Sequence, residues 1–431
     1  METVTQVAQA MQYGLGEVAD DLGRASGFIQ RERVLKGSSF VQTLVFAWLA
    51  QPAASMEELS QSAANLGVGI SRQGLDERFT PLAAEFLKGV LSAAIEQVIT
   101  AEAVTTPVLA RFNGVYVLDS TSIRLPACLA QVWAGNQQAA LKVSVSWDLR
   151  GGGLSQVHLQ AGRQHDQRAP MQQQPLPAGA LRVADLGYYN LAVFERLDQA
   201  GAYWVSRYKV GTEVYTQQGQ VLNVLKYLQE HSLEGESLDI PIRLGQRKRL
   251  ACRLVAVPVS QATQEQRQAR LKRQAARKQR RLSEAVRDLA GWNIYLTNAP
   301  VELLSATEVG LIGRVRWQIE QLFDVWKSDG LLDEWRTANP WRVLCEVYAK
   351  LLALLIQHWL FLVGDGHDLR SSLTQAARTI RKKAWHIAMV LGDQAGLCQV
   401  LMSIRFCLKK GCRISSSRHK PPSFSLFYGL S

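Results

Sequence analysis

The stretch GVYVLDSTSIRLP, residues 114–126, decides the fold class of this sequence. It begins as a short apolar run, rich in valine, that ends in Asp119. The stretch ALRVAD, residues 180–185, repeats the pattern and ends in Asp185. Short apolar runs bounded by polar residues are typical of buried strands. The two runs therefore predict two strands of a buried sheet, each ending in a carboxylate.

The surrounding segments extend this pattern in both directions. ALKVSVSWDL (140–149), GGG (151–153) and LSQVHLQAG (154–162) have the composition of a strand, a hairpin turn and a second strand. NLAVFERLDQAG (190–201) has the spacing of a helix, and AYWVSRYK (202–209) follows it as a strand. Alternation of strands and helices predicts an α/β core.

The chain before this core is predicted to be helical almost throughout residues 1–110. Ser55 and Glu58 have the spacing of a capping box, Ser71 begins another helix, and Pro81 occupies the favoured first position of a third. Two helices joined by a glycine-containing turn are compatible with a helix-turn-helix that reads DNA. The same pattern is equally typical of a small helical bundle.

The chain after residue 209 changes character twice. Residues 210–262 alternate in a way that predicts a mostly β insertion, and 263–289 is a basic segment without glycine or proline. Its arginines recur at steps of three and four residues, which places one set on a single helix face; that set is Arg270, Arg273, Arg277 and Arg280. Since few acids accompany them, we interpret this face as a phosphate contact, against the alternative of an ordinary solvated face.

The charge of the whole chain supports a polyanionic partner. The 431 residues include 49 Lys and Arg against 37 Asp and Glu, a formal net charge of +12. Neutralising phosphates releases condensed counterions, which favours nucleic acid, although a basic protein without such a partner has the same composition. The six cysteines form no C-x-x-C pair, which favours a reducing cytoplasm over a zinc site or disulfides. The N-terminus lacks a signal-peptide pattern, and the apolar run 351–363 is too short to span a bilayer.

The acids at the two strand ends are candidates for metal-dependent phosphodiester chemistry. Two hard cations need oxygen ligands that converge from separate elements, and strand ends hold such side chains rigidly. Asp119 and Asp185 meet this requirement. Each acid taken alone is equally explained as a strand cap.

A third candidate lies in GRVRWQIEQLFDVWKS, residues 313–328, within a long helix predicted to begin near Leu303. Arg316, Glu320 and Lys327 are offset by four and seven residues, which predicts that they share one helix face. A carboxylate beside two cations on such a helix can bind metal while the cations bind phosphates. The alternative is a pairing of Arg316 with Glu320 within the helix.

This order of motifs resembles the DDE transposases of bacterial insertion sequences, and more narrowly their family four, defined by a Tyr-Arg-Glu-Lys pattern. DST (119–121) resembles the first acidic motif of that family, and DLGYYN (185–190) resembles the second. The resemblance covers roughly residues 25–365. Its other segments are AGRQHDQR (161–168), WVSRYK (204–209), YLTN (295–298), RWQIEQLFDVWKS (316–328) and, more loosely, FIQRERVLKGSSFVQTLVFAWL (28–49) and ISRQGLDERFTPLAAEFL (70–87).

One position departs from the family pattern. The tyrosine of the signature belongs three residues before Arg316, where this sequence has Gly313. In the family that tyrosine is associated with contact to DNA phosphate. The departure therefore concerns the positioning of DNA more than the metal chemistry.

The resemblance implies a fold and a set of roles. The expected fold is α/β, with a ribonuclease-H-like catalytic core, a β-rich insertion and a helical N-terminal domain. Asp119, Asp185 and Glu320 match the family's ligands for two Mg²⁺ or Mn²⁺ ions, and Arg316 and Lys327 match its phosphate contacts. The expected division is 1–110 for the helical DNA-binding domain, 111–209 and 291–365 for the two parts of the core, 210–290 for the insertion with its basic helix, and 366–431 for a basic helical tail.

The resemblance also implies the reaction and the partners. Such an enzyme nicks double-stranded DNA at the terminal inverted repeats with water, and the freed 3′-hydroxyl then attacks the opposite strand or target DNA. A homodimer in the synaptic complex and a cytoplasmic location, with no membrane, are expected. Two alternatives are a ribonuclease-H-like nuclease that does not transfer strands, and a catalytically inactive DNA-binding derivative.

Overall fold

The chain forms two compact units in a computed structural model. The first unit contains the described residues up to 102, then 120–164, and those from 318 onward; the second contains 106–119 and 165–317. Both strands and helices are abundant, so the fold is mixed α/β. The residues that the structure describes are 2–31, 34–102, 106–231, 235–277, 279, 281, 283–364 and 370–414.

The strands belong to a sheet that is parallel in one part and antiparallel in the rest. In the second unit the strand order is β1-β4-β5-β9-β8-β7-β6, with β1, β4 and β5 parallel and the other pairs antiparallel. In the first unit β2 pairs with β3 as an antiparallel hairpin. The strands are β1 (Val115–Arg124), β2 (Ala140–Asp148), β3 (Leu154–Ala161), β4 (Leu181–Ala184), β5 (Tyr203–Arg207), β6 (Val214–Tyr215), β7 (Leu238–Leu244), β8 (Leu250–Pro258) and β9 (Trp292–Thr297).

The helices are most numerous at the two ends of the chain. Two π-helical segments, Tyr13–Glu17 and Val325–Asp329, interrupt the α-helical runs. The α-helices are α1 (Glu2–Gln12), α2 (Val18–Ala25), α3 (Gly37–Ala50), α4 (Met56–Asn65), α5 (Arg72–Asp76), α6 (Pro81–Ile95), α7 (Pro107–Ala110), α8 (Leu191–Gln199), α9 (Val224–His231), α10 (Gln261–Arg277), α11 (Glu284–Asp288), α12 (Ala306–Val315), α13 (Trp317–Asp324), α14 (Pro340–Val363), α15 (Leu373–Arg381), α16 (Ala384–Val390) and α17 (Gln394–Gly411).

The helix starts predicted in the N-terminal region are confirmed. The Ser55 amide donates to Glu58 Oε2 at 2.6 Å, and Ser55 Oγ accepts from the Glu58 amide at 3.3 Å, which completes the capping box. Ser71 caps α5, and α6 begins with Pro81. The helix after the glycine-containing turn is only five residues long, or about one and a half turns. A DNA-reading role for this region stays a prediction.

The apolar run at 351–363 is confirmed as a buried helix. It belongs to α14, which is the one helix among the described residues with the length and composition to cross a membrane. Within α14, 94% of the most apolar window is buried inside the protein, as in the core helix of a globular fold. It packs against α1, α3, α6, α15 and α17 in the first unit.

A buried histidine joins α14 to the β2–β3 hairpin of the first unit. His358 is 3% exposed, and its Nε2 lies 2.8 Å from the carbonyl of Gly152, at the predicted glycine turn. Burial lowers the pKa of His358 to about 4, while the hydrogen bond with Gly152 opposes that shift. The imidazole is therefore neutral at pH 7 and donates to the carbonyl, so its role is structural.

The core of the second unit lies where α8 covers the sheet. Phe194 of α8 stacks on Trp204 of β5, with ring centroids 4.2 Å apart. Both side chains are buried, together with Leu254 of β8 and Leu296 of β9. The predicted β segments at 210–262 form β6, β7 and β8, although α9 also lies in that range.

The single long helix predicted from Leu303 is wrong. The chain instead forms α12, then α13, and then the π-helical segment Val325–Asp329. Arg316 is the residue between α12 and α13, and Lys327 lies in the π-helical segment. Since π-helical hydrogen bonds span five residues rather than four, the regular α-helical alignment of Glu320 with Lys327 is not kept.

Candidate active site

The two aspartates are brought to the same edge of the sheet by parallel pairing of β1 and β4. Val115 of β1 is opposite Leu181 of β4, and the paired ladder ends where Leu118 is opposite Ala184. Asp119 and Asp185 are the residues that directly follow this ladder in the two segments. In a parallel pair the two carboxyl ends lie at one edge, so the side chains that follow them converge.

The expectation that β1 ends at Asp119 is wrong, because the strand continues to Arg124. The pairing of β1 with β4 ends one residue before Asp119, at Leu118, because β4 stops at Ala184. Asp185 then begins a short 3-10 turn, Leu186–Tyr188. The carboxylate of Asp119 is thus held by a continuous strand, whereas that of Asp185 stands at the start of a loop.

Arg316 lies between the two carboxylates within the second unit. Its Nη1 is 3.5 Å from Asp119 Oδ2, and its Nε is 3.9 Å from Asp185 Oδ1. The Arg316 and Asp119 side chains are 16% and 19% exposed, and that of Asp185 is 45% exposed. A cationic group therefore already bridges the two acids, at distances too long for strong hydrogen bonds.

The donor atoms at this corner suit a hard divalent cation. Two carboxylates that converge on a positive guanidinium supply oxygen ligands and negative charge, which Mg²⁺ and Mn²⁺ prefer. Over the described ranges, no group of three or more His, Cys, Asp or Glu side chains is placed to hold a metal. The structure therefore assembles Asp119, Asp185 and Arg316 in the second unit. Glu320, in the first turn of α13, belongs to the first unit.

Lys327 has its own set of contacts in the first unit. Its Nζ donates to the backbone carbonyl of Ser122 at 3.2 Å and lies 4.0 Å from Asp333 Oδ2. Its side chain is 34% exposed. Ser122 lies on the continuation of β1, three residues after Asp119. The Lys327 ammonium group is therefore bound to a residue only three positions after Asp119 in the chain. About a third of the Lys327 side chain remains exposed to solvent.

Gly313, the departure from the family signature, has a packing explanation. A Cβ built on Gly313 of α12 would lie 2.2 Å from Cε1 of Tyr295 and 2.7 Å from its hydroxyl. Tyr295 of β9 is 2% exposed, so its ring fills this space and cannot retreat into solvent. A side chain at position 313 would therefore require β9 and α12 to separate, and glycine allows their close approach.

A buried polar network, which the sequence patterns did not predict, supports the loop that carries Asp185. Arg182 on β4 is 3% exposed and donates to the side-chain carbonyl of Gln172, itself 2% exposed. Gln172 Nε2 donates to the carbonyls of Tyr188 at 3.1 Å and Asp166 at 3.3 Å. Burial lowers the pKa of Arg182 to about 10, so the guanidinium stays charged at pH 7. The available signal was a charged residue inside the apolar run before Asp185.

The helix predicted over the basic segment 263–289 forms only in part, because α10 ends at Arg277 and Glu284–Asp288 is a separate short helix, α11. α10 contains no buried residue, and Arg270, Arg273 and Arg277 are all exposed. One arginine anchors the helix, because Arg267 donates to Asn293 Oδ1 at 2.8 Å and to the Trp292 carbonyl at 3.3 Å. The fourth member of the predicted face, Arg280, lies outside the described residues.

A family model described as "Transposase DDE domain" matches residues 110–356. That range contains both aspartates, Arg316, Glu320 and Lys327. More than half of the chain is therefore similar to this domain over the segment that carries the candidate site.

Curated proteins similar to this chain are named as transposases. The transposase for insertion sequence element IS231C of Bacillus thuringiensis subsp. berliner is 30% identical over 365 residues, which cover 78% of this chain and 75% of that protein. The transposase for element IS231F of Bacillus thuringiensis subsp. israelensis is 28% identical, over 81% and 78% respectively. The transposase for element IS1151 of Clostridium perfringens is 26% identical, over 78% and 76%.

Proposed function

This chain belongs to the family of DDE transposases, and from that premise we propose how it cuts and joins DNA. It is a DNA transposase of an insertion sequence. The observation that carries the proposal is the convergence of Asp119 and Asp185 on Arg316 at one edge of the sheet. In the family, two carboxylates in these motifs and a third in the Arg-Glu-Lys segment hold the metal ions.

We assign Asp119, Asp185 and Glu320 as ligands of two Mg²⁺ or Mn²⁺ ions. The ions, when bound, would activate water and stabilise the charge that develops on the phosphate oxygens. Asp119 is fixed by a strand that continues past it, and Asp185 by a loop tied to Gln172. This rigidity favours converging oxygen ligands, because ligand geometry changes little when the cation binds.

Arg316 and Lys327 are assigned to the phosphates that flank the bond to be cut. Each carries a positive charge, and the side chains of Arg316 and Lys327 are 16% and 34% exposed. The planar guanidinium of Arg316 presents donors in the fork that matches a phosphate. When metal cations bind the two carboxylates in place of Arg316, its guanidinium can therefore bind a DNA phosphate instead.

The proposed reaction has two steps at one site. In the first, the oxygen of water forms a bond to phosphorus at the transposon end while the phosphorus–O3′ bond breaks, and the leaving 3′ oxygen takes up the proton that the water gives up. In the second, this 3′-hydroxyl forms a bond to phosphorus of the opposite strand or of target DNA, and one existing phosphodiester bond breaks. Each step exchanges one phosphorus–oxygen bond for another, so no oxidant or energy source is required.

The rest of the chain is assigned to fold and DNA binding. We propose a ribonuclease-H-like core at 111–209 and 291–365, a β-rich insertion at 210–290, and a DNA-binding domain at 1–110. The parallel β1, β4 and β5 beside antiparallel strands support the core assignment. The exposed arginines of α10 support phosphate contact by the insertion. We assign the remaining residues, 366–431, to a basic helical tail.

The partners proposed are the terminal inverted repeats of the insertion sequence and a target duplex. A homodimer in the synaptic complex and a location in the bacterial cytoplasm, associated with the nucleoid, belong to the same proposal. They follow from the need to hold two transposon ends together and from the basic charge of the chain.

Two other functions make different predictions. A nuclease without strand transfer would nick labelled end DNA but leave no joined product. An inactive DNA-binding derivative would bind the same DNA and nick none in any metal. Incubating the full chain with labelled DNA that carries the inverted repeat beside its gene, in Mg²⁺ or Mn²⁺, separates all three by the products formed.

A further inference from the structure

A cleft of about 260 Å³ lies in the first unit, between the turn before α4 and the segment that follows the π-helical turn. Four cations and two carboxylates line it. The cations are Arg72, Arg336, Arg342 and Lys350, and the carboxylates are Glu334 and Glu346. The lining therefore carries an excess of positive charge, and we call this site the 331 cleft after Leu331, which lies at its edge.

One of the four cations, Lys350, stabilises the wall of the cleft and has no ammonium donor left for a ligand. Lys350 is 2% exposed, and its Nζ lies 2.8 Å from Glu346 Oε1 and 2.8 Å from the carbonyls of both Leu331 and Glu334. All three ammonium donors are thus used. Leu331 has a left-handed φ of 47°, which is unfavourable for a leucine. The buried lysine therefore holds a strained turn in place, and such strain concentrates at functional sites.

The three arginines are only partly satisfied by the protein. Arg342 Nη1 lies 3.1 Å from Asp76, whose side chain is 53% exposed, and Arg342 Nε is buried without a hydrogen-bond partner among the described residues. Arg72 and Arg336 are exposed, and neither forms an ion pair within the described part of the chain. The nearby Glu58 accepts a hydrogen bond from the Ser55 amide, and this capping box together with the positive charge of Arg336 lowers the pKa of Glu58. Two exposed guanidinium groups beside a third, in a cleft whose lining has more cations than carboxylates, point to an anion.

The size and chemistry of the cleft select one kind of anion. A volume near 260 Å³ corresponds to roughly nine water molecules and lies below the range of about 300 to 1,000 Å³ usual for drug-sized ligands. Arginine forks match the paired oxygens of a phosphate, which fits such a space. The same turn also carries Asp333, 4.0 Å from Lys327 Nζ, and so connects the cleft to the proposed phosphate contact at Lys327.

We propose that the 331 cleft binds one backbone phosphate of duplex DNA through Arg72, Arg336 and Arg342. This inference rests on the proposed function for the identity of the duplex. This DNA contact would lie at the turn that follows α13 and its π-helical segment, and it would include Arg72 at the start of α5. DNA held there is positioned by shape and charge, because phosphate contacts carry no base information.

The test uses the full chain with Arg72→Gln and Arg336→Gln, singly and together. The matched control is Arg405→Gln, which removes one arginine charge from α17 outside the cleft. Affinity for a labelled duplex of random sequence is measured as salt is varied. Each cleft variant is expected to weaken binding about tenfold. Together they should reduce the slope of log affinity against log salt by about 0.9, the value for one phosphate.

A second arm uses inorganic phosphate alone and separates DNA from a small anion. Thermal unfolding of the wild type and of the double variant is followed as phosphate is added. Reduced salt dependence for the cleft variants, with the control unchanged, supports the proposal. An unaltered slope overturns it, and stabilisation by phosphate without any effect on DNA would identify a small-anion site instead. Neither outcome touches the proposed function, which is judged by metal-dependent nicking.

Discussion

The acidic corner of the second unit and the basic helix α10 are built on opposite principles. At the corner, strand pairing fixes Asp119, a buried network supports the loop of Asp185, and Arg316 lies between the two. α10 has no buried residue and is attached through Arg267. A site whose parts depend on one another should fail when one part is removed, whereas an array of exposed charges should weaken gradually. The predictions below test that difference.

The largest effect is expected for the carboxylates themselves. Asp119→Asn or Glu320→Gln keeps the shape of the side chain but removes its charge, so nicking and strand transfer should fall together by on the order of a thousandfold or more. The measurement is nicking and joining of labelled end DNA. Asp324→Asn is the matched control, since Asp324 is exposed at the end of α13 and should tolerate the change. If Asp119→Asn nicked but failed only to join, one shared site for both steps would be excluded.

A somewhat smaller loss is expected for Arg316→Ala. We expect cleavage to fall by about a hundredfold, as for loss of one charged transition-state contact. The contacts of Arg316 with Asp119 and Asp185 are long, at 3.5 and 3.9 Å, and we therefore expect them to add little to the free energy of unfolding. Melting temperature should therefore change little, and Mg²⁺ should raise it more in the variant than in the wild type, because the two carboxylates then lack a cation. A large loss of stability in the variant would assign Arg316 a structural role.

An intermediate effect should follow when the loop behind Asp185 is loosened. Gln172→Met leaves the buried Arg182 without its side-chain acceptor, which should cost about 1 to 3 kcal/mol of unfolding free energy. Nicking should fall by roughly tenfold, and the Mn²⁺ concentration for half-maximal nicking should rise, because the ligand is less well positioned. Gln173→Met is the control, since Gln173 accepts only an exposed bond from Arg196. An unchanged Mn²⁺ requirement, whatever the stability, would limit the network to folding.

The smallest single effects are expected on α10. Arg270→Gln, Arg273→Gln and Arg277→Gln should each weaken DNA binding by a few-fold, equally for end DNA and random DNA, and should add up in the triple variant. The salt dependence of DNA binding should become less steep with each change. Each arginine removed leaves one phosphate contact fewer, so fewer counterions are released when the protein binds DNA. The measurement is gel-shift binding at several salt concentrations. Loss of affinity for the end sequence alone would show that the helix reads bases.

The parts of the fold predicted from sequence are those set by local pattern. Apolar runs fixed the strands around Asp119 and Asp185, and Ser55 with Glu58 marked a helix start. The break at Arg316 was not predictable in this way, because the apolar spacing continues across it. The π-helical segment after the break, Val325–Asp329, likewise has no local pattern that predicted it.

The supporting residues of the site were also beyond local pattern. Arg182 was visible as a charge in an apolar strand, but its partner Gln172 lies ten residues away and meets it only through the fold. Lys350 likewise stabilises Leu331 from nineteen residues further along the chain. Sequence therefore indicates the groups that we propose carry the chemistry more readily than the buried groups that support them.

Asp185 is the critical residue of the proposed active site, because its carboxylate stands at the start of a loop and is the more exposed of the two aspartates. The most direct test is metal-dependent nicking of labelled end DNA by Asp185→Asn, alongside gel-shift binding in EDTA. We expect no nicking in Mg²⁺ or Mn²⁺, and DNA binding without metal that is equal to or tighter than that of the wild type, since a negative charge facing phosphate has been removed. Nicking at the wild-type rate would contradict the active site proposed at this edge of the sheet.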